Sequence, residues 1–316
     1  MHLLRLGLTL GCLYALWDYW LTRPNWPENQ IINPLLLGIA LGLTPVLLAF
    51  RALKWRACLV SLSPEITLWQ ALRSYLGALP LGLLTPGRAG EFTRGLYLPY
   101  ASVQGIQGSG RVILDNWTDS VSVLVFALPG AFWLWGWKGL TLGGIVLITA
   151  AAIPLWLKLV HSLIQKGERF TGWKKRVLGF LQAFIPTGES ISSRSLFVIF
   201  GYGLMAYVVE GLQFILLLRG LGESQGQSLI LAGLLALVHL ANSVQVTVAG
   251  IGPREGLTTW LLAKAGLSAS LVLGASFFQT ALVLFLPAGI GLFFKPYIFD
   301  KDSGEDLALT KFLPRR

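Results

Sequence analysis

Two short stretches hold most of the chemistry that this chain can do: Thr85-Pro86-Gly87-Arg88-Ala89-Gly90-Glu91-Phe92-Thr93-Arg94 and Ala249-Gly250-Ile251-Gly252-Pro253-Arg254-Glu255-Gly256. Each is a Gly/Pro break followed by an arginine and a glutamate, set in sequence apolar enough to lie in a bilayer. Broken helices and charges persist in such surroundings only around a protein-lined cavity, so both breaks are expected to mark a site. Arg88, Glu91 and Arg94 recur at i, i+3 and i+6 and share one side of a short helix. Guanidinium forks and the freed amides at a helix start suit a phosphate. Glu91 then orients an arginine or carries a proton. Arg254 and Glu255 repeat the pattern, beside a polar helix face made by His239, Asn242 and Gln245.

Three further residues, Arg111, Asp115 and Asp119, form a polar stripe at i, i+4 and i+8. Arg111 and Asp115 are spaced to pair along the helix. The two carboxylates could also serve a cation, although they fall short of a full ligand set. Glu210 with Gln213 reads either as a hydrogen bond within a helix bundle or as part of a cavity wall. A shift of 164 residues carries Glu91 onto Glu255 and Asp115 onto Gln279. Gly7 with Gly11 and Gly38 with Gly42 have the spacing of close helix packing. Cys12 and Cys58 stand alone and read as small buried hydrophobes. The sequence has no phosphate loop, serine elbow, zinc-protease motif or dinucleotide fingerprint, so no catalytic residue, metal or cofactor is expected.

The elements that must hold these groups follow from composition. With 54% hydrophobic and 13% charged residues among 316, and a mean hydropathy of +0.65, the chain reads as an all-α polytopic membrane protein. Its net charge of +10 is spread through loops between apolar runs, which points to topology and anionic lipid, not nucleic acid. Spans are expected at about 3–20, 31–50, 103–133, 140–163, 197–218 and 271–294. The first has an arginine in front like a signal peptide but lacks a cleavage motif, and so reads as retained. Arg51, Lys54 and Arg56 are read as a cytoplasmic loop after the second span. Two apolar segments end at the Gly/Pro breaks and return too briefly to cross, which predicts re-entrant helical hairpins over 66–98 and 229–264. Trp133, Trp135 and Trp137 mark an outer turn, and the basic loop from Lys166 to Arg194 and the tail 296–316 are cytoplasmic, as is the N-terminus. Six crossings and two hairpins entering from opposite faces imply an inverted-topology repeat, 31–134 and 194–295, with the site between the halves.

The paired motifs, together with the 111–119 stretch and the run Ala265-Gly266-Leu267-Ser268, resemble the lysylphosphatidylglycerol synthase transmembrane-region family over about residues 34–294. The resemblance implies a lipid-translocating fold, found alone or joined to a cytosolic domain that aminoacylates phosphatidylglycerol. With the sequence stopping at Arg316, a stand-alone member is expected. The leading expectation is a flippase or scramblase of the cell (inner) membrane that moves a phosphate-bearing lipid, with proton coupling through Glu91, Glu255 or Asp115 open. The expected partner is an anionic or modified phospholipid, with a second copy of the chain or a separate lipid-modifying enzyme as further candidates. The alternatives are a membrane enzyme that uses Asp115, Asp119 and Glu91 around magnesium, and a scaffold subunit.

Overall fold

The computed structural model describes residues 7–12, 14, 18, 32–60, 62–99, 105–165, 192–223, 228–241 and 247–296. It is all-helical over these residues. Helix α1 spans Pro34–Leu59, started by Asn33, whose side chain accepts from the amides of Leu35 and Leu36, and by Pro34 in the first turn. It does not end near Phe50 as expected. No glycine or proline breaks the sequence between 50 and 59, so the helix continues and carries Arg51, Lys54 and Arg56 within it.

Helix α2, Leu68–Leu84, begins with a capping box between Thr67 and Gln70. Its proline, Pro80, leaves the carbonyl of Leu76 without its usual amide partner. The backbone of Gly291 packs directly against that carbonyl, where any side chain would collide. At Pro86 the chain turns and comes back as a 3₁₀ segment, Pro86–Tyr97, instead of the α-helix expected from Arg88. Gly87 and Arg88 are both left-handed, with φ of 60° and 59°. The return runs against α2 through glycines: a Cβ on Gly90 would meet the backbone of Leu81, and one on Gly77 the ring of Tyr97. Leu68–Leu84 and Pro86–Tyr97 thus pack against each other as two helical arms joined at Thr85.

Helix α3, Gly105–Gln165, is broken at Gly136 (φ 59°, ψ −143°). The arms on either side fold together: Trp117 donates to the carbonyl of Ala150 at 2.8 Å, and a Cβ on Gly139 would strike the carbonyl of Ala131. The turn falls within the expected Trp-rich segment. Helix α4, Ser193–Gly220, is capped by Ser192 and runs antiparallel along α1. Gly220 accepts from the amide of Asn33 at one end, and Glu210 meets Arg51 nearer the other. Helix α5, Ser228–Ala241, crosses α3 where Gly130 and Gly233 bring two backbones together. It was expected to continue to Val248; residues 242–246 lie outside the described residues. A short turn, Val248–Gly250, leads through left-handed Ala249, Gly250 and Gly252 into α6, Pro253–Lys264. Helix α7, Ala269–Gly291, contains a π turn at Ala281–Phe285.

Four helices are long and apolar enough to cross a membrane among the described residues: Pro34–Leu59, Gly110–Ala152, Arg194–Gly220 and Ala269–Gly291. The 43 residues of the second would extend about 65 Å unbroken, twice a hydrocarbon core of about 30 Å, and the fold-back at Gly136 halves that reach. Gly7, Gly11, Gly38 and Gly42 do not make the expected close contacts, since no described atom lies within 4 Å of where their Cβ would be. Close approaches occur at other glycines, Gly90, Gly130, Gly233 and Gly291 against backbone among them.

Two large apolar clusters make up most of the core, beside a small one of Val123, Ala127 and Ala236. One apolar cluster joins the C-terminal half of α1 to α2 and the end of α7, and includes Trp55, Leu79 and Leu284. The other joins the C-terminal half of α4 to α5, α6 and the start of α7, and includes Phe214, Leu234 and Leu271. Between them the helices present polar groups. Gln213 donates to the carbonyl of Ala40 and to Thr44, and Gln279 to the carbonyl of Glu210. The charged residues gather at this level.

Candidate functional site

The 3₁₀ return explains the geometry of the first motif. With three residues per turn, positions i, i+3 and i+6 eclipse one another. Glu91, 2% exposed, thus receives Arg88 Nε at 3.3 Å on one carboxylate oxygen and Arg94 Nη2 at 2.9 Å on the other. Arg94 is the pivot. Its second nitrogen, Nη1, reaches Asp115 Oδ2 on α3 at 2.5 Å, and its guanidinium lies over the rings of Trp55 and Tyr75 at 5.0 and 4.8 Å. Its backbone carbonyl accepts from Ser74. This one side chain touches both α1 and α3 from the first hairpin.

Asp115 does not take the intrahelical partner expected at Arg111. Arg94 and Lys54 hold it from other elements, because buried tertiary cations compete better for it than a neighbour one turn away. Lys54 Nζ lies 3.0 Å from Asp115 Oδ1, 2.6 Å from the backbone carbonyl of Asp115 and 2.6 Å from Asp119 Oδ1. All three ammonium hydrogens are thereby used. The lysine stem passes over Gly203, and a side chain there would crowd it and Ser122. The carboxylate pair is already neutralised by protein charge.

Arg51 makes a second connection. Its Nη1 donates to the Tyr75 hydroxyl at 3.0 Å and its Nη2 to Glu210 at 2.7 Å, while the other oxygen of Glu210 lies 3.5 Å from His239 Nε2. At the second break, Glu255 is fully buried. It accepts from the amide of Gly252 and the hydroxyl of Thr280, and Arg254 grips it through Nε and Nη2 at 3.1 and 2.9 Å. Left-handed Gly252 supplies the start of α6 that this carboxylate caps.

These groups surround one cavity of about 240 Å³. Gly87 and Arg88 from the first break and Ala249 and Arg254 from the second line it, and so do Glu91, Arg94, Asp115, Asp119, Glu210 and His239. Residues from both breaks thus line the same cavity. Glu255 and Gln279 stand behind the wall and hold its parts in place, and Arg111 is buried without lining the cavity. Asn242 and Gln245 lie outside the described residues. Sequence reading missed Arg51 and Lys54, both lining residues, as well as Tyr75 and Tyr207. A signal for the first two was present: they sit three apart in an uninterrupted helix, with Ala52, Leu53 and Trp55 around them.

Among the described residues, Arg51, Lys54, Arg88, Arg94 and Arg254 bring positive charge to the cavity wall. Arg88 differs from the rest. Its side chain is 38% exposed, and among the described residues its only ion pair is through Nε, which leaves the two-nitrogen fork open to the cavity. Arg254 keeps Nη1 in reserve. A phosphate or another oxyanion is the chemistry that such a fork binds in two-point geometry.

A family model described as the lysylphosphatidylglycerol synthase TM region matches residues 4–303. The chain belongs to this family. No curated protein and no solved structure matches it. As a lysylphosphatidylglycerol synthase TM region, the chain is a multi-pass, all-helical membrane protein with a lipid-related role.

Proposed function

We propose that this protein is a lipid transporter of the flippase or scramblase kind, which passes a phosphate-bearing headgroup between leaflets through the charged cavity. In this reading the chain crosses the inner membrane six times with both termini cytoplasmic. The two hairpins re-enter from opposite faces, and the antiparallel pair α1 and α4 relates two inverted halves. The observation that carries the proposal is the meeting of both Gly/Pro breaks at one cavity, with the open fork of Arg88 in it. The headgroup phosphate binds Arg88 first and is shared with Arg254 Nη1 on the way across. Glu91 orients the arginines. The lipid is anionic or modified, and a second copy of the chain or a separate lipid-modifying enzyme works beside it.

The test is leaflet exchange of a labelled phospholipid in liposomes that contain the purified chain. Arg88→Ala is the informative variant. Glu91 keeps Arg94 when Arg88 is removed, so the fold survives, whereas Arg254→Ala would strand the buried Glu255. Exchange is expected to fall at least about tenfold in Arg88→Ala, the loss of one charge-assisted contact of about 1.5–3 kcal/mol. Exchange equal to wild type in that variant rejects the proposal. A pH gradient imposed across the liposomes tests coupling, which the proposal assigns to the carboxylates of the cavity.

A further inference from the structure

A second depression, about 280 Å³, lies between α4 and α5. These two helices touch only lightly, while α1 packs along α4 and α3 along α5. The gap exists because small residues face each other across it: Gly211 has only the Cβ of Ala232 near the place of its missing side chain. The remaining wall is apolar, with Leu212, Ile215, Leu229 and Leu235. Leu212 and Leu229 are 45% and 67% exposed. Polar groups occur at one end only. Tyr207, Glu210 and His239 line both this groove and the charged cavity, and the Tyr207 and His239 rings meet edge to face at 6.2 Å.

We infer that the groove between α4 and α5 holds one acyl chain of the bilayer phospholipid whose headgroup occupies the charged cavity. The inference rests on the lipid-transport reading and adds to it a track for the tail. Its length fits: from Leu229 to His239 along α5 is about 15 Å, half of a hydrocarbon core of about 30 Å, the depth of one leaflet. Its polarity fits as well, since an amphiphile needs an apolar trough that opens at one end onto charge. With the termini cytoplasmic, the groove lies in the outer half of the bilayer, so the lipid in the cavity has its tail in the outer leaflet. The triad Tyr207, Glu210 and His239 then marks the junction of headgroup and tail.

The experiment uses the full chain in liposomes with a phosphatidylglycerol that carries a diazirine midway along one acyl chain, followed by mapping of the photo-adducts. Adducts are expected to concentrate on Leu212, Ile215, Leu229 and Leu235, several-fold above the exposed controls Phe197 and Phe293, and to diminish with excess unlabelled phosphatidylglycerol. In Ala232→Trp, which fills the groove without touching the charged cavity, they should fall to the level of the controls. A diacylglycerol with the same diazirine, lacking the phosphate, should show no such concentration. Adducts spread evenly over all exposed apolar residues overturn the inference, as do chain-to-chain cross-links at Leu212 and Leu229, which would assign the groove to a second copy. The wild-type map decides the matter even if Ala232→Trp does not fold. Concentrated adducts without leaflet exchange would retain the groove and reject transport; exchange with an even map would retain transport and reject the groove.

Discussion

Replacing Lys54 with methionine separates two views of this residue, because a lysine in a cytoplasmic basic loop and a lysine at the centre of a buried network respond differently. Methionine keeps the length of the stem over Gly203 and removes only the ammonium. Three contacts disappear: Asp115 Oδ1, the Asp115 carbonyl and Asp119 Oδ1. Asp115 retains Arg94. The carbonyl keeps the Thr118 hydroxyl as donor at 2.8 Å, so it is not left unsatisfied and adds little to the loss. Asp119 has a side chain 39% exposed, so solvent screens much of its loss. Breaking one partner out of a buried pair costs about 3–5 kcal/mol, and the screening at Asp119 places the expected total at the lower end, about 3 kcal/mol. The assay is reversible unfolding in mixed detergent micelles, followed by tryptophan fluorescence, with exposed Lys138→Met as the control at under about 0.5 kcal/mol. Adding Asp119→Asn to Lys54→Met should recover part of the loss by removing one of two adjacent carboxylate charges. A Lys54→Met variant as stable as the Lys138→Met control would refute the network, and with it the placement of Lys54 at the cavity.

Three other outcomes follow from the same geometry. Arg94→Lys should destabilise by about 3 kcal/mol despite keeping the charge, since a single ammonium cannot bridge Glu91 and Asp115 while lying over two rings; unfolding within about 0.5 kcal/mol of wild type would argue against the pivot. Gly90→Ala should cost about 1–3 kcal/mol by pushing the 3₁₀ return off the Leu81 backbone, detectable in the same titration, whereas Gly144→Ala, with open space around it, should be neutral. Gly136→Ala should cost about 1–3 kcal/mol because its φ and ψ suit glycine alone, and distances between spin labels at positions 128 and 143 would report whether the fold-back opens.

The sites of the two breaks were legible because glycine, proline and paired opposite charges have no ordinary place in an apolar helix. Their convergence on one cavity could be argued from an inverted repeat, but not their contacts. Arg51 and Lys54 were obscured by their company: with Arg56 they follow an apolar run in the way that topology-setting charges do, and only the absence of a break says that the helix goes on. Arg56 itself donates to the carbonyl of Ile66, a local role consistent with a helix end. The Arg111–Asp115 spacing was a sound intrahelical rule that lost to partners brought by other elements. Tyr75 and Tyr207 gave no signal, because an aromatic in an apolar run looks the same whether its hydroxyl faces a cavity or a neighbouring helix. The glycine spacings at 7–11 and 38–42 were common patterns without a partner helix in the described residues, whereas the glycines that allow backbones to touch recur at no fixed interval.

Glu91 has two arginines, so neither is its sole partner. Were an anion on the Arg88 fork to draw that side chain away, the carboxylate would stay with Arg94, so no buried charge would be stranded. In the transport reading proposed above, a headgroup could come and go at such a site while its carboxylate stays neutralised.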